Sequence, residues 1–144
     1  MKSRALITGA STGIGYAYAK HLSKDGWILD LISENAERSI RSEERLDYPD
    51  ANFYLADLSK KSSIKEIISN YETPDLIVAN AGIAINGSIG KLDESQKEGA
   101  YYLMCGGIID LIEGFAPKMI KRGTGRIVII SSIGAITAMP KSSI

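Results

Sequence analysis

The chain has 144 residues, with 17 basic and 17 acidic side chains that cancel to zero net charge. That length suits one domain with its own core, and the charge balance lacks the basic surplus of a nucleic-acid binder. A lone cysteine, Cys105, excludes an internal disulfide, and the apolar run behind Lys2 and Arg4 is too short for a signal peptide or membrane span.

Apolar runs alternate with helical patterns along the whole chain, which predicts an α/β fold around a parallel sheet. The first strand covers residues 4–8. It runs into Thr8-Gly9-Ala10-Ser11-Thr12-Gly13-Ile14-Gly15, a glycine-rich loop at the start of a helix. Glycine there permits unusual backbone angles and close approach of a ligand, and a helix N-terminus directs free amides and positive dipole at an anion. The spacing G-x-x-x-G-x-G differs from the general G-x-G-x-x-G dinucleotide fingerprint, and no Gly-Lys-Ser/Thr follows to make a Walker loop. His21, on this first helix, reads as a surface or packing residue.

A second strand is expected at 27–32, ending in Ile32-Ser33-Glu34-Asn35, and a polar helix at 36–46. The third strand, 52–56, leads into Ala56-Asp57-Leu58. Ile64, Ile67, Ile68 and Tyr71 then fall at helical spacing. The fourth strand, 75–79, carries the continuous apolar stretch Leu76-Ile77-Val78, as suits a strand buried on both faces, and ends in Asn80-Ala81-Gly82. A long helix follows, with Tyr101, Met104, Ile108, Leu111, Phe115 and Met119 as its apolar stripe and a kink expected at Pro117. Cys105 lies within that apolar pattern and reads as structural. Gly123 and Gly125 turn the chain into the fifth strand, 126–131, which ends at Ser131-Ser132. No repeat or linker divides residues 1–144, which read as a single domain.

TGASTGIG, NAG and the strand ending in Ser-Ser, in this order, resemble the short-chain dehydrogenase/reductase family over essentially the whole chain. The resemblance implies a Rossmann-type doubly wound sheet in three layers that binds NAD or NADP. Gly9, Ser11, Thr12, Gly13, Ile14 and Gly15 are then cofactor-binding, as are Glu34, Asp57, Leu58, Asn80, Ala81 and Gly82. Asp57 matches the acidic residue that contacts the adenine, although helix capping would also employ it. Glu34 stands where a carboxylate accepts hydrogen bonds from a ribose 2′-hydroxyl, while a 2′-phosphate calls for an arginine. Neither Glu34 nor Thr12 is basic, so the reading favours NAD, with Arg38 near enough in sequence to serve a phosphate.

The family's chemistry is hydride transfer between nicotinamide and a carbonyl or alcohol carbon. Ser132 matches the serine that orients the substrate oxygen. The family's Tyr-x-x-x-Lys would begin immediately after Ile144, so the chain reads as the cofactor-binding portion, inactive alone and without the last strands and helices. The relay asparagine aligns with Met104, which cannot hold a relay water. Lys141, beside Pro140, reads as a loop residue. No metal ligand is assigned.

A non-catalytic dinucleotide-binding protein is the alternative, favoured by Met104 and the missing tyrosine and opposed by Ser132. An extended-branch nucleotide-sugar epimerase fits the glycine spacing poorly. The expected setting is cytoplasmic, without nucleic-acid or membrane partners. With the fifth strand at a sheet edge, a homo-oligomer is expected.

Overall fold

The computed structural model describes residues 2–85 and 90–137. Five strands form one fully parallel sheet: β1 (Arg4–Thr8), β2 (Ile28–Ser33), β3 (Ala51–Leu55), β4 (Leu76–Ala79) and β5 (Arg126–Ile129). Their order across the sheet is β3-β2-β1-β4-β5. Helices α1 (Gly13–Lys24), α2 (Ala36–Leu46) and α3 (Lys61–Asn70) connect successive strands, and α4 (Glu94–Tyr101) and α5 (Gly107–Arg122) lie between β4 and β5.

Side chains of a strand alternate between faces, and β1 supplies both halves of the core. Ala5 and Ile7 join Leu29, Leu31 and Val78 against Ala19 and Leu22 of α1. Leu6 joins Ile32 and Ile77 against Ile64 and Ile67 of α3 and Leu111, Phe115 and Met119 of α5. The result is the expected three-layer, doubly wound Rossmann-type arrangement. Each fully buried Leu, Ile or Phe side chain contributes about 1.5–3 kcal/mol of burial free energy.

The polar helix α2 stands at its expected bounds. The Asn35 side chain caps it by accepting from the Arg38 amide at 2.8 Å. Its buried face carries serines: Ser39 pairs with Ser33, and Ser42 Oγ donates to the Ser39 carbonyl at 3.0 Å.

The long helix departs from its expected form. Tyr102–Gly106 forms a π turn between α4 and α5. The wider i→i+5 turn accommodates an extra residue and rotates what precedes it out of register. Tyr101 is therefore 67% exposed, and the buried stripe runs Leu103, Gly107, Leu111, Phe115, Met119. Cys105 in this turn is exposed, which corrects its reading as a packed residue. The break in α-type hydrogen bonding lies in this turn, and α5 continues past Pro117 to Arg122. Gly123, in the left-handed region at φ 77°, ends the helix.

β5 stops at Ile129, earlier than expected, although the Ile130 amide still donates to the Ala79 carbonyl at 2.9 Å. Ser131 and Ser132 follow outside the strand, with Ser132 at the start of a short 3₁₀ turn, Ile133–Ala135.

One polar group at the centre of the sheet had no apolar-pattern signal. Asp30, 2% exposed in β2, receives Arg4 Nη1 at 2.9 and 3.1 Å and Asn52 Nδ2 at 3.1 Å. A buried carboxylate is tolerable because it is paired and hydrogen-bonded.

Candidate functional site

In an open parallel sheet, a crevice forms where chain connections leave neighbouring strands in opposite directions. Here that point lies between β1 and β4. A cavity of about 410 Å³ opens there. The β1–α1 loop lines it with Gly9, Ser11, Thr12, Gly13 and Ile14, and the β2–α2 junction with Ser33, Glu34, Asn35 and Arg38. Ala56 and Leu58 follow β3, Asn80 to Ile83 follow β4, and Leu103 enters from the π turn.

The three motif glycines do different work. Gly13, at φ 56°, has nothing within 4 Å of the place a Cβ would occupy, so it leaves an open cradle at the helix start. N-cap Thr12 makes no side-chain cap, leaving the first amides of α1 for an anion. Gly9, at φ 65°, passes so close to the β4 loop that a Cβ would meet Ala81 Cα at 2.9 Å. Gly15 is buried and does not line the cavity; its Cβ would stand 2.4 Å from the Gly9 carbonyl oxygen.

Asn80 fixes the loop from the other side. Its Nδ2 donates to the carbonyls of Thr8 at 3.0 Å and Gly9 at 3.1 Å. In return, Thr8 Oγ1 accepts the amides of Asn80 at 2.9 Å and Ala81 at 3.0 Å. Two segments 72 residues apart thus hold each other's backbone polar groups. Thr8 opens the motif, yet its role as an acceptor for the NAG loop becomes visible only when the loops meet.

Most of the expected site residues gather at this cavity: Gly9, Ser11, Thr12, Gly13, Ile14, Glu34, Leu58, Asn80, Ala81 and Gly82. Gly15, Asp57 and Ser132 are outside its lining. Asp57 Oδ1 accepts from the Ser59 amide at 3.0 Å and the Ser59 hydroxyl at 2.6 Å, and Lys60 Nζ lies 3.2 Å from Oδ2. The Ser59 hydroxyl, aided by Lys60, holds the Asp57 carboxyl below its ordinary range. Asp57 therefore organises the turn before α3 and does not cap it, since the N-cap is Lys60 and receives no side-chain cap. Ser132 is exposed, and its Oγ accepts the Gly134 amide at 3.1 Å. Met104 is half-buried against the core. Pro140 and Lys141 lie outside the described residues.

Ser33, Asn35, Ala56, Ile83 and Leu103 line the cavity without having been singled out. The first four adjoin motif residues, so proximity was the available signal. Leu103 had none, because the π turn that presents it breaks helical periodicity.

The family model for short chain dehydrogenase matches residues 3–144. The chain belongs to this family. Nodulation protein G of Azospirillum brasilense is 32% identical over 142 residues, covering 92% of this chain and 56% of that protein. A short-chain dehydrogenase from Sphingobium yanoikuyae solved in complex with NADPH superposes with TM-score 0.87 at 26% identity, over 98% of this chain and 57% of that one. A metagenomic short-chain oxidoreductase solved with NADP gives TM-score 0.87 at 25% identity, over 98% and 66%. The chain spans about half the length of the curated relatives it matches. Among the described residues, no helix is long and apolar enough to cross a membrane.

Proposed function

We propose that residues 1–144 form an NAD(P)-binding domain of an oxidoreductase that interconverts a carbonyl and an alcohol. The observation that carries this reading is the single cavity shared by the Gly13 cradle, the end of β2 and the Asn80 loop. The open amides at the start of α1 would hold the diphosphate, Glu34 the adenosine ribose, and Leu58 an apolar face for the adenine. Asn80, Ala81 and Gly82 would line the middle of the cofactor. When bound, the dinucleotide supplies or accepts the hydride. Ser132 would hold the substrate oxygen by hydrogen bonding, provided its hydroxyl turns from the Gly134 amide.

The end of β2 presents both signs of charge, since Glu34 and Arg38 line the same cavity. Glu34 favours the free ribose hydroxyls of NAD, whereas Arg38 would serve a 2′-phosphate. The NADPH and NADP in the two structural neighbours make the second cofactor a necessary arm of the test. Titration with each should give saturable binding, lost in Gly13→Asp, and Glu34→Gln should weaken NAD more than NADP. A folded sample with no calorimetric response to either would refute the reading.

A non-catalytic dinucleotide binder is the second reading, favoured by Met104 and by Ser132 lying outside the cavity lining. Cofactor binding without turnover of any carbonyl or alcohol, by the chain together with whatever natively adjoins it, would support that reading. We further propose self-association through β5 and its surroundings, where Ile129, Ile133 and Ile136 are 53%, 71% and 88% exposed. Light scattering across a dilution series should show a dimer or larger assembly; a folded monomer throughout would refute it. A cytoplasmic setting goes with this cofactor chemistry.

A further inference from the structure

A second cavity, of about 320 Å³, lies between the edge strand β3 and α3 and shares only Ala56 with the dinucleotide cavity. One wall is aromatic. Tyr54 and Tyr71 meet edge to face, with ring centroids 4.6 Å apart and planes at 70°. The other wall is polar: Ser63, Glu66 and Asn70 lie on one face of α3.

Three features give this cleft a common electrostatic preference. Tyrosine rings present negative faces, which attract cations. Glu66 forms no ion pair among the described residues, whereas the neighbouring charges of Arg4, Asp30 and Glu72 are engaged with one another. The cleft also reaches the C-terminal end of α3, whose last turn contains no basic residue. The negative pole of that helix is thus uncompensated by its own side chains. An anion would be opposed by all three features. A neutral apolar ligand would use the rings but leave Glu66 and the helix end without a partner.

We propose that the Tyr54–Tyr71–Glu66 cleft binds a small organic cation of the alkylammonium class. The rings flank the charged head, Glu66 neutralises it, and Ser63 and Asn70 offer hydrogen bonds to polar substituents. The site shares only Ala56 with the dinucleotide cavity and does not depend on its reading.

Amide chemical-shift mapping of the isotope-labelled 144-residue chain tests this, with tetramethylammonium as probe and tert-butanol as its neutral counterpart. The expected result is saturable shifts around Tyr54, Glu66 and Tyr71 with the cation only. Glu66→Gln should weaken binding about fivefold, the upper range for an exposed ionic contact. Tyr54→Leu, which retains apolar area but lacks the aromatic face, should weaken it further. Both positions are exposed, and circular dichroism verifies the fold of each variant. Equal responses to the two probes, no saturation with the cation, or unchanged affinity in both variants would each overturn the proposal.

Discussion

Gly15→Ala and Gly13→Ala should separate folding from binding within one motif. A Cβ at Gly15 would stand 2.4 Å from the Gly9 oxygen, 2.6 Å from Asn80 Nδ2 and 2.9 Å from the Gly9 carbonyl carbon. Two of these three atoms are backbone, and the third already donates to Thr8 and Gly9. Relief therefore requires moving the loop or surrendering the Asn80 contacts. Overpacking typically costs about 1–3 kcal/mol, and each hydrogen bond lost adds about 1 kcal/mol. Replacing glycine within a helix returns about 1 kcal/mol. The net expectation is a loss of about 1–3 kcal/mol, the lower end applying if the loop yields. At Gly13 the Cβ enters open space, leaving only the left-handed backbone, a penalty of about 1 kcal/mol. Urea unfolding followed by circular dichroism should rank Gly15→Ala below Gly13→Ala. Nucleotide titration should show Gly13→Ala impaired although folded, because its methyl occupies the proposed phosphate cradle. Wild-type stability in Gly15→Ala would refute the packing argument.

Asp30→Ala should destabilise the fold by about 2–4 kcal/mol, since Arg4 loses its buried partner while retaining exposed Glu72; a midpoint in urea matching the parent would count against that ion pair. Asn80→Ala should lower both stability, by about 1–3 kcal/mol, and nucleotide affinity, because two carbonyls lose their donor; calorimetry with intact affinity would mean the loop is held by Thr8 alone. Burial, and then the hydrogen bond to Asp110, pushes the Tyr102 hydroxyl from 10.0 up to about 12. The folded state therefore holds this proton more tightly than the unfolded chain. The associated stability is complete below pH 10 and is lost as pH rises to about 12, a decline that Tyr102→Phe should lessen in guanidinium titrations.

Local regularities made most of the fold legible. The β1 bounds and the TGASTGIG turn follow from an apolar run and glycine spacing, and the α2 bounds agree with the local cap that Asn35 provides, all set by near neighbours. The cavity was legible for a related reason: its lining falls at the ends of consecutive strands, and a parallel sheet brings those ends to one edge. Tertiary structure decided what depends on distant partners. Tyr101 was expected in the apolar stripe because helical periodicity assumes an unbroken α turn, whereas the π turn exposes it together with Cys105 and presents Leu103 to the cavity. Asp30 carried no signal in the sequence, and its burial in β2 is accounted for only by Arg4 and Asn52, which meet it from the flanking strands. Gly15 was expected among the cofactor residues from spacing alone, and only the structure shows the Gly9 carbonyl and the Asn80 amide packed where its Cβ would stand. Periodicity and spacing are written in the chain because they act over a few residues. Pairing, exposure and close approach are not, because they belong to segments that meet only when the sheet has formed.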